Sequence, residues 1–253
     1  MSTPDVPPAA ESSAPIILGP TLELGWQLFK RSLTRCLPIS LLAVLIGQLP
    51  AVYLLQSADR GPLWLLLNVL AALAGLALWL LIMQRQYSLL QGDGSALLSD
   101  LRQVLLALPR ALAVLVVTVL LICAASLLLV APGVYLLIAL WPALTLTVCE
   151  GRGVRESVDG SLQLVRGRWG VAAGAWVITL IAVFGVVMLG MGAGLLLIEW
   201  QLVTGLPVGT LVSALIPGLI GALFPPLVIA FGLALHARLR ATTQPFSSAS
   251  NSA

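Results

Sequence analysis

Apolar residues run through this chain in long uncharged stretches separated by short basic loops. No charged residue lies between Arg35 and Asp59, Arg60 and Arg85, Arg110 and Glu150, Arg168 and Glu199, or Glu199 and Arg238. A helix needs about 20 apolar residues to cross roughly 30 Å of hydrocarbon. The first two stretches predict one span each, residues 37–56 and 63–83. The third is too long for a single crossing. It contains Ala131-Pro132-Gly133, a turn signal, and so predicts spans 111–131 and 134–149. The last two predict spans 170–198 and 208–236. The expected fold is an all-α polytopic membrane protein, with six transmembrane helices arranged as three hairpins.

Charge then orients the hairpins. With six spans, one side holds Lys30, Arg31, Arg35, Arg85, Arg102, Arg110, Arg152, Arg155, Arg166, Arg168, Arg238 and Arg240, and the other holds Arg60 alone. Basic loops stay in the cytoplasm, so both termini are expected there. A single span across the third stretch would put Arg152, Arg155, Arg166 and Arg168 outside, against that bias. Tyr53, Tyr87, Tyr135, Trp64, Trp79, Trp169 and Trp200 all fall near expected span ends, as an interfacial aromatic belt requires.

A second pattern precedes each odd-numbered span. Apolar residues fall at Leu22, Trp26, Phe29 and Leu33, then at Leu97, Leu101, Val104 and Leu108, then at Val158, Leu162, Val165 and Trp169. This spacing marks one face of an α-helix. Cations close the segments, among them Lys30, Arg31 and Arg35 in the first, and Arg166 and Arg168 in the third. Each segment reads as a cytoplasmic amphipathic helix in the headgroup layer, its cations toward anionic lipid. The chain then becomes three units of interfacial helix plus hairpin. Trp26, Lys30, Arg31, Arg35, Arg166 and Arg168 are the expected lipid-interface residues.

Composition agrees with a membrane solvent. Hydrophobic residues make up 59% and charged residues 9%, against about 45–50% and about 25% in soluble domains. That excludes an ordinary soluble fold. The net charge of +3 is spread over loops, so nucleic acid is not an expected partner. Residues 1–20, with five prolines, and residues 241–253, rich in Ser and Thr, read as disordered cytoplasmic tails around a membrane domain at 21–240. Residues 1–20 lack the apolar core of a signal peptide.

Candidate chemistry is sparse. The expected spans contain no Asp, Glu, Lys or Arg, the usual marks of proton relays and ion pathways. His236 is the only histidine, so a histidine metal cluster within one chain is excluded and no cofactor is expected. Cys36, Cys123 and Cys149 follow no metal or disulfide spacing. Cys149 adjoins Glu150, with no histidine nearby in sequence to activate it. Gln48 and Asn68 are the strongest polar groups of the first hairpin, and helix-to-helix hydrogen bonding accounts for them. Gly190 and Gly194, like Gly170 and Gly174, have the spacing of close helix packing. Pro217, Pro225 and Pro226 are expected to break the sixth span. Such breaks form substrate sites in transporters, so Gln48, Asn68 and these prolines are the residues of a possible cavity.

The stretch 131–169 carries the most distinctive wording. It runs Ala131-Pro132-Gly133-Val134-Tyr135, then Glu150-Gly151-Arg152-Gly153, then Ser157 and Gly160-Ser161-Leu162, and ends at Gly167-Arg168-Trp169. It resembles a six-span family of bacterial inner-membrane proteins that includes the YciC-like proteins and the membrane domain fused to glycerophosphoryl diester phosphodiesterases. Gly25-Trp26-Gln27-Leu28-Phe29-Lys30 resembles the start of that family. The matching positions are Pro132, Gly133, Glu150, Gly151, Ser157, Ser161, Gly167 and Trp169. The resemblance implies a bacterial cytoplasmic-membrane location and a fold rather than an activity. The phosphodiesterase domain has no counterpart in this chain.

The roles expected at the matching positions are architectural. Glu150-Gly151 should end a span, Ser157 and Ser161 should bond backbone carbonyls of a partner helix, and Gly167-Trp169 should turn the chain into the fifth span. The expected function is non-enzymatic, in envelope organisation through membrane-lipid or protein contacts, with a homo-oligomer open. The alternative is a transporter or channel for a lipid or small apolar solute.

Overall fold

The computed structural model describes residues 18–57, 60–92, 96–204 and 218–243. Within them the chain is helical: α1 (Leu18–Ser57), α2 (Pro62–Gln91), α3 (Leu97–Leu128), α4 (Val130–Ala139), α5 (Ala143–Cys149), α6 (Val154–Val165), α7 (Trp169–Thr204) and α8 (Phe224–Thr243). Six helical segments are long and apolar enough to cross a membrane, the fourth being α4 with α5 and the sixth α8 with the turn before it. The protein is therefore an all-α polytopic membrane protein. α1 packs against both α2 and α8, α3 against α4, and α7 more lightly against α8. One core joins α1, α2, α3 and α8 around Cys36, Ile82, Val104 and Leu233. A second joins α4 to α8 around Ile138, Leu146, Val165, Ala172 and Leu239. Most of the expected tails lies outside the described residues, although α1 begins at Leu18 and α8 runs to Thr243.

The fourth and sixth spans are central, with 50% and 56% of their apolar windows buried against 6% in the fifth. They are also the two broken ones. Irregular backbone at membrane depth is tolerated only where protein surrounds it, so the breaks and the burial go together.

The reversal between the third and fourth spans is three residues earlier than expected. Leu129 alone makes it, in extended conformation (φ −162°, ψ 146°) between two helices. Pro132 and Gly133 are not the turn. They lie in the first turns of α4, where a missing proline N–H leaves no helical bond unmade. Gly133 faces α3 so closely that a Cβ would come within 3.0 Å of the Ser126 backbone. Its smallness, not its flexibility, is what this site uses.

The amphipathic segments also differ from expectation. α1 and α3 run unbroken from segment into span, α1 through Pro38 and Pro50 and α3 through Pro109. Only the third segment is a separate helix, because Gly167 is left-handed (φ 76°) and stops α6. By the shared spacing, Arg31 and Leu106 stand in its place in the other units, and side chains resist that conformation.

α6 lays one face on protein. Its buried face is Ser157, Ser161, Leu164 and Val165, turned by about one residue from the expected stripe. It packs against α3, α5 and α8 and serves as a strut. Tyr135 and Trp169, expected at opposite interfaces, stack at 6.0 Å between ring centroids. The α6–α7 joint is thus drawn in beside α4.

Candidate functional site

Three side chains at the basic end of the bundle, His236, Arg152 and Arg240, converge on Glu150. α5 ends at Cys149, Glu150 follows as its C-terminal residue, and Gly151 (φ 67°) turns the chain sharply away. Oε1 of Glu150 lies 3.0 Å from Nε2 of His236. Oε2 accepts from Nε of Arg152 at 2.9 Å and from Nη2 of Arg240. His236 and Arg240 are one turn apart on α8 and so present both groups to the same carboxylate. Arg152 passes over Gly160, where a Cβ would meet its Nη1 at 3.0 Å. The pairing locks the α5–α6 loop to the last helix. A second ion pair at the same end joins Arg85 of α2 to the buried Asp100 of α3 at 3.1 Å.

Hydroxyl and amide groups splint the two broken spans. Pro226 has no N–H, which strands the carbonyl of Ala222 four residues earlier. Ser40 of α1 donates to it across the bundle. Gln86 of α2, fully buried, donates to the Pro226 carbonyl and to Oγ of Ser32, both at 2.9 Å. At the other break, Pro142 cannot donate to Ala139, and the N–H of Ala143 goes to Leu140 instead. Ser161 of α6 donates to the Ala139 carbonyl at 2.6 Å. Beside it, Thr147 donates to Oγ of Ser157 at 2.8 Å. Unsatisfied carbonyls in hydrocarbon cost several kcal/mol each, so these side chains make the breaks tolerable.

An apolar cleft of about 420 Å³ lies beside the sixth-span break, lined by Ala43, Val44, Gly75, Leu76, Trp79, Gly221, Phe224 and Pro225. Of the expected cavity residues, Pro225 lines it and Pro226 is buried behind it. Gln48 is exposed on α1, and Asn68 donates to the Trp64 carbonyl of its own helix at 2.8 Å. Neither lines the cleft or bridges the hairpin as expected. Pro217 lies outside the described residues. Trp79, expected at an interface, stands inside the cleft against Phe224 at 6.1 Å.

The outward face of the same basic end is different. Trp26 is 48% exposed, stacks on Phe29 at 5.5 Å and carries Nζ of Lys30 over its ring at 5.7 Å. Arg31, Arg35 and Arg166 are exposed, and Arg168 is half-buried. Among the described residues no three His, Cys, Asp or Glu side chains gather as a metal site.

Comparison by sequence and by structure finds no matching family model, curated protein or solved structure. What this chain does must therefore be argued from its own residues. Sequence reasoning missed the His236–Glu150 contact, because 86 positions separate the two residues. A signal was present: Glu150 ends one of the long uncharged stretches, His236 lies two residues before the end of another, and Glu150 is an acid in a basic loop.

Proposed function

We propose that this chain is a non-enzymatic protein of the bacterial cytoplasmic membrane, related to the YciC-like six-span family. It has both termini in the cytoplasm and works in envelope organisation or membrane homeostasis through contact with anionic lipid. One observation carries this reading: the polar groups at the basic end fall into two sets. The inward set, Ser40, Gln86, Glu150, Ser157, Ser161 and His236, is engaged in bonds between elements of the fold. The outward set is led by exposed Trp26, with Lys30 over its indole, and by the exposed cations Arg31, Arg35 and Arg166. That pairing suits a headgroup layer, where aromatic rings sit and cations meet lipid phosphate. The lipid contact is carried by this rim, while α6 turns Ser157, Ser161, Leu164 and Val165 to protein. A protein partner or a second copy of the chain would meet the same exposed rim.

The apolar cleft favours a second reading, a carrier for a lipid or small apolar solute. Reversing charge at the rim bears on the first. Each cation near an anionic surface contributes about 1 kcal/mol. Lys30→Glu with Arg31→Glu and Arg166→Glu should strip anionic lipid from the purified protein in native mass spectrometry and leave membrane insertion unchanged. Retention of the same lipids by the triple variant would contradict the reading.

A further inference from the structure

We propose that the contact between Glu150 and His236 is a pH-sensitive latch, holding α6 to α8 while the imidazole is neutral and releasing it once the imidazole is protonated. The latch stands on the fold alone and does not depend on the lipid-contact reading. Glu150 and Arg152 belong to the chain between α5 and α6, and His236 and Arg240 to α8. The carboxylate therefore joins the two elements through charged and titratable groups. A carboxylate only accepts, so Nε2 of the neutral ring carries the proton and donates to Oε1 at 3.0 Å. Nδ1 then holds a lone pair. It is buried and has no hydrogen-bond partner among the described residues. A second proton on the ring would sit on that atom, as a charged donor closed in without an acceptor. Such a group costs far more to bury than a neutral lone pair.

Charge points the same way. The charged groups that act on His236 are Glu150, Arg240 and Arg152. Two guanidiniums already meet the one carboxylate, so the cluster carries one positive charge with a neutral ring and two with a protonated one. Protonation adds no new bond to Glu150, because Nε2 already donates to it. It sets attraction to one carboxylate against repulsion from two arginines, around a side chain with only 4% of its surface exposed. Tyr87 of α2 and Cys149 stand beside Glu150 and are neutral throughout the range in which a histidine titrates. α1, α6 and α7 also pack against α8, and none of their described charged groups acts on the ring. Arg152 and Arg240 are partly exposed, so protons reach the cluster from water. Acidification therefore opens the latch, and a pH above the histidine range keeps it shut.

His236 is the only histidine, so an effect near neutral pH can be assigned to it. Hydrogen–deuterium exchange of the full chain in detergent is followed by mass spectrometry from about pH 7.5 to about pH 5.5, the range of histidine switches. The readout is the exchange rate of the α6 amides divided by that of residues 22–33 of α1 at the same pH. That ratio cancels the pH dependence of exchange itself. It should rise on acidification by up to about tenfold, the limit for one proton over the pH unit below an ordinary histidine value of about 6.5. In His236→Gln, whose amide can donate to Glu150 but cannot titrate, the ratio should stay flat. His236→Asn is a second non-titrating variant and should behave alike. A flat ratio in the unaltered protein would overturn the proposal, whatever the variants do. So would a ratio that falls on acidification, because the imidazolium would then tighten the contact. An equal rise in a folded non-titrating variant would also overturn it, since the imidazole would not be the sensor.

Discussion

Replacing Glu150 with glutamine is expected to destabilise the protein by about 3 kcal/mol, toward the lower end of the range for breaking a buried ion pair. The carboxylate is 12% exposed and serves three partners, and its loss leaves His236 buried without its charged acceptor. Some of the penalty is recovered because the Arg152 and Arg240 side chains are 37% and 31% exposed and water can reach them. Arg155→Ala gives the contrast. Its pair with Asp159 spans 3.7 Å on an open face of α6, so a change of about 0.5 kcal/mol or less is expected. Thermal unfolding of both variants in the same detergent compares them. Equal effects would mean that Glu150 does not tie the α5–α6 loop to α8.

Ser161→Ala is expected to cost about 1–3 kcal/mol, the penalty for leaving a buried acceptor unpaired. The acceptor is the Ala139 carbonyl, which the Pro142 turn has already deprived of its helical donor. Ser40→Ala should behave alike, because it strands the Ala222 carbonyl at the other break. The two serines serve separate breaks, so their effects should add to within about 0.5 kcal/mol in the double variant. Denaturant titration of the two single variants and the double one measures this. A harmless Ser161→Ala would show that the Ala139 carbonyl does not depend on Ser161 for its partner.

The membrane part of the fold was legible because hydrocarbon leaves few solutions. An uncharged run of about 20 residues must be a helix, and the parity of basic loops counts the crossings. What was not legible depends on packing. Pro132-Gly133 looks like a turn, yet Gly133 is there to admit Ser126, and the reversal falls on Leu129, which carries no turn chemistry. The α6 stripe put Val158 and Leu162 toward lipid, while the helix turns inward Ser161, which meets the stranded Ala139 carbonyl, and Ser157, which accepts from the Thr147 hydroxyl rather than bonding a carbonyl as expected. Serines on the polar side of a helix read as solvated until the broken spans they serve are in place. Asp100 was hidden for the same reason: in sequence it belongs to a polar face, and in the fold it is closed in by Arg85. The chain reversals at Gly151 and Gly167 were readable, the first as the end of a span and the second as the turn into the fifth span, and both glycines are left-handed in the fold.

The most direct test of the account is which side of the membrane holds the basic end. Cys36, Cys123 and Cys149 are first replaced by alanine or serine. Single cysteines are then placed at Leu129, 69% exposed at the reversal between the third and fourth spans, and at Gln163, exposed on α6. An impermeant maleimide added to intact bacterial cells should label Leu129→Cys and leave Gln163→Cys unlabelled until the inner membrane is permeabilised. Labelling of Gln163→Cys in intact cells, with Leu129→Cys protected, would contradict the account.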